Sequence, residues 1–215
     1  MLKIGDSDVL LVIDVQNDFC PGGALAISNA DEVVPIINKL AEHFQHIILT
    51  QDWHPPGHKS FASAHPGKRV YDSVEAPYGQ QTLWPDHCVQ GTNGAEFHKD
   101  LNVSKAELIL RKGFRKSIDS YSAFLENDHV TSTGLAGYLR ERGFQRIFLA
   151  GLAYDYCVRF SAIDGVKAGF KSFVIEDACR SVNLADSIEA TNLDFAKAGI
   201  QRITSSLFIE CPSTV

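Results

Sequence analysis

Apolar and polar positions divide the chain into short segments of two different periods. Val9-Leu10-Leu11-Val12-Ile13 is continuously apolar and stops at Asp14. A run this short, with no polar alternation, reads as a strand buried on both faces, as in the middle of a parallel sheet. His46-Ile47-Ile48-Leu49-Thr50 repeats the pattern and ends at Asp52, and Glu107-Leu108-Ile109-Leu110-Arg111 ends at Lys112-Gly113. Arg146-Ile147-Phe148-Leu149-Ala150 runs into Gly151, and two further strands are predicted at Ser172-Phe173-Val174-Ile175 and near Arg202 to Thr204. Between these runs the spacing changes to that of a helix face. Val33, Val34, Ile37, Leu40 and Ala41 follow Asp31, a residue suited to an N-cap. Leu135, Ala136 and Leu139 follow Ser132 or Thr133 and precede Gly143, a C-terminal stop. Val158, Ala162, Ile163, Val166 and Phe170 mark a third helix, and roughly Ala185 to Lys197 a fourth. Strands alternating with helices predict an α/β fold, a parallel sheet with helices on both faces.

From Trp53 to about Asp100 the periodicity stops. The stretch carries Pro55, Pro56, Gly57, Pro66, Gly67, Pro77, Gly79, Pro85, Gly91 and Gly94, with both tryptophans and His54, His58, His65, His87 and His98. A structureless segment of this length in a compact domain is unusual unless it is functional or tied down. It reads as an insertion that builds a site and is pinned by a metal. The 215 residues otherwise fit a single domain over residues 1–215, without repeat or linker.

A net charge of −6 and the absence of any long basic run argue against nucleic acid and anionic membranes as partners. Cys20, Cys88, Cys157, Cys179 and Cys211 are odd in number and irregular in spacing, which reads as reduced thiols in a cytoplasmic protein. The N-terminal residues lack the pattern of a signal peptide, and no apolar run is long enough to span a bilayer. No single apolar stripe marks an interface, so a homo-oligomer is neither required nor excluded.

Candidate chemistry gathers at strand ends. Asp14, Lys112 and Cys157 each follow a strand, and parallel strands would bring their ends to one edge of the sheet. A carboxylate beside a thiol can take its proton, and an ammonium or a helix N-terminus favours the thiolate. Each residue has an ordinary alternative: a cap, a solvated strand end, a core thiol. Three together at corresponding positions make that coincidence much rarer. Asp52 and His54 point the same way in an extended segment, and His87 is a third donor, a set suited to Zn²⁺, Fe²⁺ or Mn²⁺. His58, His65 and His98 read as hydrogen-bonding loop histidines, and Cys88 is left out as too close to His87. Phe19, Trp84, Tyr121 and Phe124 could line a flat aromatic pocket, Phe124 with the weakest claim.

With these residues in view, the chain resembles the nicotinamidases of the isochorismatase-like cysteine hydrolases. The likeness runs from about Val9 to about Asp177. It is carried by Asp14-Val15-Gln16-Asn17-Asp18-Phe19, Gln51-Asp52-Trp53-His54-Pro55, Trp84-Pro85-Asp86-His87-Cys88-Val89, Arg111-Lys112-Gly113, Asp119-Ser120-Tyr121-Ser122-Ala123-Phe124 and Gly151-Leu152-Ala153 with Asp155-Tyr156-Cys157-Val158. The resemblance implies a three-layer αβα fold with a mostly parallel central sheet. It implies hydrolysis of nicotinamide to nicotinate and ammonia, in NAD salvage, with pyrazinamide as an analogue substrate. Asp14, Lys112 and Cys157 would be catalytic, and Ala153 and Cys157 N–H groups would form an oxyanion hole beside a cis Leu152–Ala153 bond. Asp52, His54 and His87 would hold one divalent metal, zinc first among the candidates, with Ser60 as a water-mediated contact. Phe19, Trp84, Tyr121, Leu152 and Ala153 would bind the substrate. Tyr154 departs from the Thr usual in the family and puts a bulkier phenol beside the implied oxyanion hole, where it would bear on substrate fit or rate. The competing readings are a hydrolase using metal-activated water, a cysteine amidase for another small aromatic or carbamoyl amide, and a scaffold that only binds.

Overall fold

The structure is a computed structural model and describes residues 2–208; Cys211 lies outside them. Six strands form one sheet: β1 (Asp8–Ile13), β2 (His46–Asp52), β5 (Leu108–Lys112), β6 (Arg146–Leu152), β7 (Lys171–Arg180) and β8 (Gln201–Ile203). Their order is β5-β2-β1-β6-β7-β8, and every neighbouring pair is parallel. All six residues of β1 are buried, as its unbroken apolar run requires.

Alternation along the strands splits the core in two. Leu10 and Val12 face α1 (Val33–Leu40), packing with its Val33, Val34, Ile37 and Leu40. Val9, Leu11 and Ile13 face the opposite layer, which contains α2 (Leu135–Glu141), α3 (Arg159–Lys167) and α4 (Ser187–Ala198) through Leu135, Leu139, Ala162 and Phe195. The result is the three-layer αβα arrangement.

Some boundaries differ from those the sequence suggests. Asp31 does not cap α1; it lies in a single 3₁₀ turn, Ala30–Glu32, that follows a left-handed Asn29. Gly134 occupies the N-cap of α2, and the hydroxyl of Thr133 accepts the Leu135 N–H at 3.3 Å. Strand β7 continues five residues past Ile175, because a shift in register between Leu149 and Gly151 pairs Gly151 with Cys179 and Leu152 with Arg180. The polar Glu176-Asp177 hides that extension from a reading based on apolar runs.

The insertion has structure of its own. It contains an antiparallel hairpin, β3 (Ser73–Ala76) and β4 (Gly79–Thr82), whose polar sequence gave no strand signal. Further ties are backbone hydrogen bonds: His54 N–H to Cys88 at 3.0 Å, Trp84 N–H to Ser60 at 2.8 Å and Ala62 N–H to Trp84 at 2.9 Å.

Candidate active site

The sheet order places four side chains in a row. Reading across the strands, Lys112 ends β5, Asp52 ends β2, Asp14 follows β1, and Cys157 lies in the wide turn after β6. Asp52 and Lys112 are register partners. Asp14 adopts a left-handed conformation (φ 48°) just past its strand. Thr50 fixes it there, donating its hydroxyl to Asp14 Oδ1 at 2.6 Å and accepting the Asp14 N–H at 3.2 Å.

Lys112 is fully buried. Its Nζ lies 2.8 Å from Asp14 Oδ2, pairs closely with Asp52 Oδ1, donates to the Ser120 carbonyl at 3.0 Å and lies 3.4 Å from Cys157 Sγ. Burial disfavours its charge, but the two carboxylates outweigh burial and hold its pKa well above normal. Asp14 is raised to about 6, chiefly by burial and against the pull of Lys112. Asp14 Oδ2, although close to the ammonium, makes no aligned hydrogen bond. Ligand atoms of Asp14, Asp52 and Cys157 lie within 4.8 Å of one another, with the Lys112 ammonium in contact with all three residues, so this cluster is already cationic at its centre.

Cys157 is not at the start of α3. It sits inside a turn with π-type hydrogen bonding, Tyr154–Val158, in which Val158 N–H reaches back to the Ala153 carbonyl at 3.0 Å. Nor does its surrounding favour a resting thiolate. Burial pushes the thiol pKa well up, Lys112 draws it down, and the nearby Asp14 and Asp52 charges add to the rise. The thiol thus stands beside a carboxylate able to take its proton, since ligand atoms of Cys157 and Asp14 lie within 4.8 Å of each other. The Leu152–Ala153 bond is cis.

Asp52 faces both ways. Its Oδ1 takes Lys112, while its Oδ2 lies 3.7 Å from His54 Nε2 and 3.9 Å from His87 Nε2. Gln16 clamps its backbone, donating to the Asp52 carbonyl and accepting the Asp52 N–H, each at 2.8 Å. Lys112 and His54 outweigh burial and hold this carboxyl well below the usual range. His54 donates Nδ1–H to the Gly113 carbonyl at 2.9 Å and His87 donates Nδ1–H to the Pro85 carbonyl at 2.8 Å. Both rings therefore turn a free Nε2 toward Asp52 Oδ2, the orientation metal-bound histidines receive from such partners. Burial and His54 push His87 down to about 4, so its lone pair is available. Burial opposes charge on His54 as well, but the Asp52 carboxylate outweighs it and its pKa is raised. The three donors, buried and within 4.8 Å of one another, fit a divalent cation. Gly113 allows the approach: it has φ 65°, and a Cβ there would stand 2.7 Å from His54 Nδ1.

His58 does not join this set, although its ring lies 4.4 Å from that of His54. Its Nδ1 is bonded to the Ser60 hydroxyl at 2.7 Å, and its Nε2 donates to the Arg115 and Ile118 carbonyls at 2.8 and 3.1 Å. Ser60 is thereby engaged with His58. His65 is bonded to the Lys59 carbonyl, and His98 lies beside the exposed Asp100.

A pocket of about 350 Å³, including its mouth, opens between these two groups. Its floor holds Cys157, Ala153, Asp52 and His87, and its aromatic walls are Phe19, Trp84, Tyr121 and Tyr156. Trp84 meets Tyr156 edge to face at 4.8 Å and donates its indole N–H to the Tyr121 hydroxyl at 3.0 Å. Leu25, Val182 and Asp119 complete the lining. Asp119 accepts hydrogen bonds from Ser120 N–H at 2.8 Å and from Gln81 of the hairpin at 3.0 Å.

One expected substrate contact fails on geometry, and two further residues are placed by it. Leu152 is fully buried in the apolar core and does not line the pocket. Phe124 packs against Phe170 in the opposite core layer. Tyr154 turns away from the oxyanion side: its hydroxyl donates to Asn192 at 2.6 Å and its ring meets Phe195 edge to face at 5.5 Å, both on α4. It does not crowd the pocket. Among residues the sequence reading missed, Tyr156 adjoins Cys157 and Asp119 opens a quoted motif, so each had a local signal. Leu25 and Val182 had none.

The comparisons agree with this architecture. An isochorismatase-domain profile matches residues 8–206. A nicotinamidase of Acinetobacter baylyi is 51% identical over 204 residues, covering 95% of each chain. Among solved structures, an Acinetobacter baumanii nicotinamidase and pyrazinamidase is 52% identical with a TM-score of 0.94, covering 95% of this chain and 99% of that one. A Pyrococcus horikoshii pyrazinamidase in complex with zinc is 32% identical with a TM-score of 0.74, covering 92% and 99%. On the extent of the profile match and the identity to these relatives, the chain belongs to the isochorismatase family.

Proposed function

We propose that the protein hydrolyses nicotinamide to nicotinate and ammonia through a thioester on Cys157, a step of NAD salvage, and that pyrazinamide is an analogue substrate. The observation that carries this reading is the row Lys112, Asp52, Asp14, Cys157, of which Cys157 and Asp52 line an aromatic pocket together with His87, while His54 and His87 turn toward Asp52. Metal-bearing and nicotinamide-hydrolysing relatives support it.

Asp14, ionised above about pH 6, takes the proton of the neutral Cys157 thiol as the sulfur attacks the carboxamide carbon. Lys112 remains ion-paired and offsets the negative charge that gathers between Asp14 and Cys157. The N–H groups of Ala153 and Cys157 hold the oxyanion, a contribution of about 3–4 kcal/mol per donor. Asp14 returns the proton to the departing ammonia, leaving the thioester. It then deprotonates a water that releases nicotinate, and Cys157 recovers its proton. Phe19, Trp84 and Tyr121 orient the ring. Asp52, His54 and His87 would hold the divalent ion, zinc by this reading, which supplies a Lewis-acidic partner for the ring nitrogen.

Ammonia release from nicotinamide by purified protein tests the scheme, beside Cys157→Ala and beside a thiol-alkylated sample. Activity in the wild type alone is expected. Activity that survives alkylation of Cys157 would transfer the reaction to metal-activated water and end the thioester reading.

A further inference from the structure

The residue two before the nucleophile carries a buried carboxylate that no step above uses. Asp155 lies within the wide turn and is 1% exposed. Its Oδ1 accepts the Val182 N–H at 3.0 Å, and its Oδ2 accepts the Asn183 N–H at 2.8 Å and the Ser187 hydroxyl at 2.5 Å. The segment it grips, residues 181–186, has neither helix nor strand. Asn183, Ala185 and Asp186 within it are non-glycine residues in left-handed conformation, with φ of 59°, 47° and 60°. Asn and Asp enter this region readily, but for Ala185 the conformation persists only where surrounding contacts impose it. Among the described residues, Val182 and Asn183 N–H have no hydrogen-bond partner other than this carboxylate. Val182 in turn forms part of the pocket wall.

We propose that Asp155 is a positioning residue that sets the ring selectivity of the pocket through Val182. Charge-assisted hydrogen bonds are shorter and stronger than neutral ones. Two of them join the segment carrying Val182 to the turn carrying Cys157, and the third ties the same carboxylate to Ser187 at the start of α4, so wall and nucleophile keep a fixed separation. That wall rejects substituents on the substrate ring, and the site takes unsubstituted six-membered heteroaromatic amides. This inference rests on the pocket being the ring-amide site proposed above.

The test compares kcat/KM for nicotinamide with that for nicotinamides methylated in turn at ring positions 2, 4, 5 and 6. A hydrophobic wall discriminates a methyl group by about 10–200-fold. Val182→Gly is expected to improve one isomer relative to nicotinamide by about 10-fold or more, within that range. Asp155→Asn is expected to shift the same isomer in the same direction. The double variant is expected to show a selectivity ratio within about twofold of Val182→Gly alone, since residues acting through one contact do not add. Equal loss for every substrate in Asp155→Asn, or ratios that multiply in the double variant, would overturn the proposal. Amide hydrogen exchange of the wild type gives a reading that needs no variant: Val182 and Asn183 are expected to be protected, and exchange at the rate of free amides would overturn it too. Wild type inactive on nicotinamide would overturn the pocket reading itself; active wild type with unshifted variants overturns only the role of Asp155.

Discussion

Asp14, Lys112 and Cys157 stand at the ends of a parallel sheet, whereas His54 and His87 stand on the inserted loops. The first group is fixed by strand register, as in the Asp52–Lys112 pair, and by ion pairs that hold buried charge. The second is fixed by carbonyls: Gly113 and Pro85 each take one ring N–H and leave the opposite nitrogen free. The two also differ electrostatically. Around Lys112, burial is overcome by opposite charge; at His87, burial prevails and the ring stays neutral. The sheet thus supplies a charged relay and the loops two ring nitrogens, His87 held neutral by burial and His54 drawn toward the charged form by the Asp52 carboxylate that both groups share.

The sharpest way to separate the two groups is Cys157→Ala. Turnover is expected to fall by roughly 10⁶-fold, as for other nucleophile deletions, while metal content measured by elemental analysis is unchanged. Loss of metal in that variant would mean the two groups are not separable. Lys112→Met should break the shared link. It leaves Asp14 and Asp52 buried without their cation, a change that costs about 3–5 kcal/mol, so denaturant midpoint and activity should both drop; unaltered stability would contradict the central place given to Lys112.

His87→Ala acts on the loop side alone. Metal affinity should fall by roughly 100-fold or more, since even the partners of metal ligands contribute 10–100-fold, and added metal should restore activity. An equilibrium titration with zinc reads this directly, and an unchanged affinity would remove His87 from the ligand set. The smallest effect concerns Thr50. Asp14 must be ionised to accept the thiol proton, so kcat/KM is present above about pH 6 and is lost as pH falls through that value. The Thr50 hydrogen bond favours the ionised form. Thr50→Val should therefore move the acid limb to higher pH by up to about one unit, with little change at pH 8. A limb that moves to lower pH would reverse the sign assigned to this contact.

Apolar runs were enough to place β1, β2 and β6, because a doubly buried strand has no other composition available, and the run Leu108-Ile109-Leu110 placed β5 although that strand alternates between partly buried and exposed positions. The convergence of Asp14, Lys112 and Cys157 followed once those strands were taken as parallel. What stayed hidden depended on contacts between distant segments. The β3–β4 hairpin is polar, and only its position makes Gln81 a buried partner of Asp119. The thiol of Cys157 is pushed up first by its burial and then by carboxylates 143 and 105 residues upstream, against the pull of Lys112, and the burial and the distant carboxylates are not legible in the local sequence. Tyr154 looked intrusive beside Ala153, yet its rotamer is set by Asn192 and Phe195 on α4. Leu152 shares a motif with the site but faces the core.

Strand β5, which supplies Lys112, lies at one edge of the sheet and shows alternating exposure, with Ile109 47% exposed. Strands at a margin open with less free energy than the centre of a domain. Local fraying there would withdraw the ammonium from its two carboxylates while β1, β2 and β6 stayed paired. In a denaturant series, catalysis would then fail before the far-ultraviolet circular dichroism changes, and on refolding it would be the last property to return. Enzyme activity would thus report on the closing of one marginal strand, not on the collapse of the core.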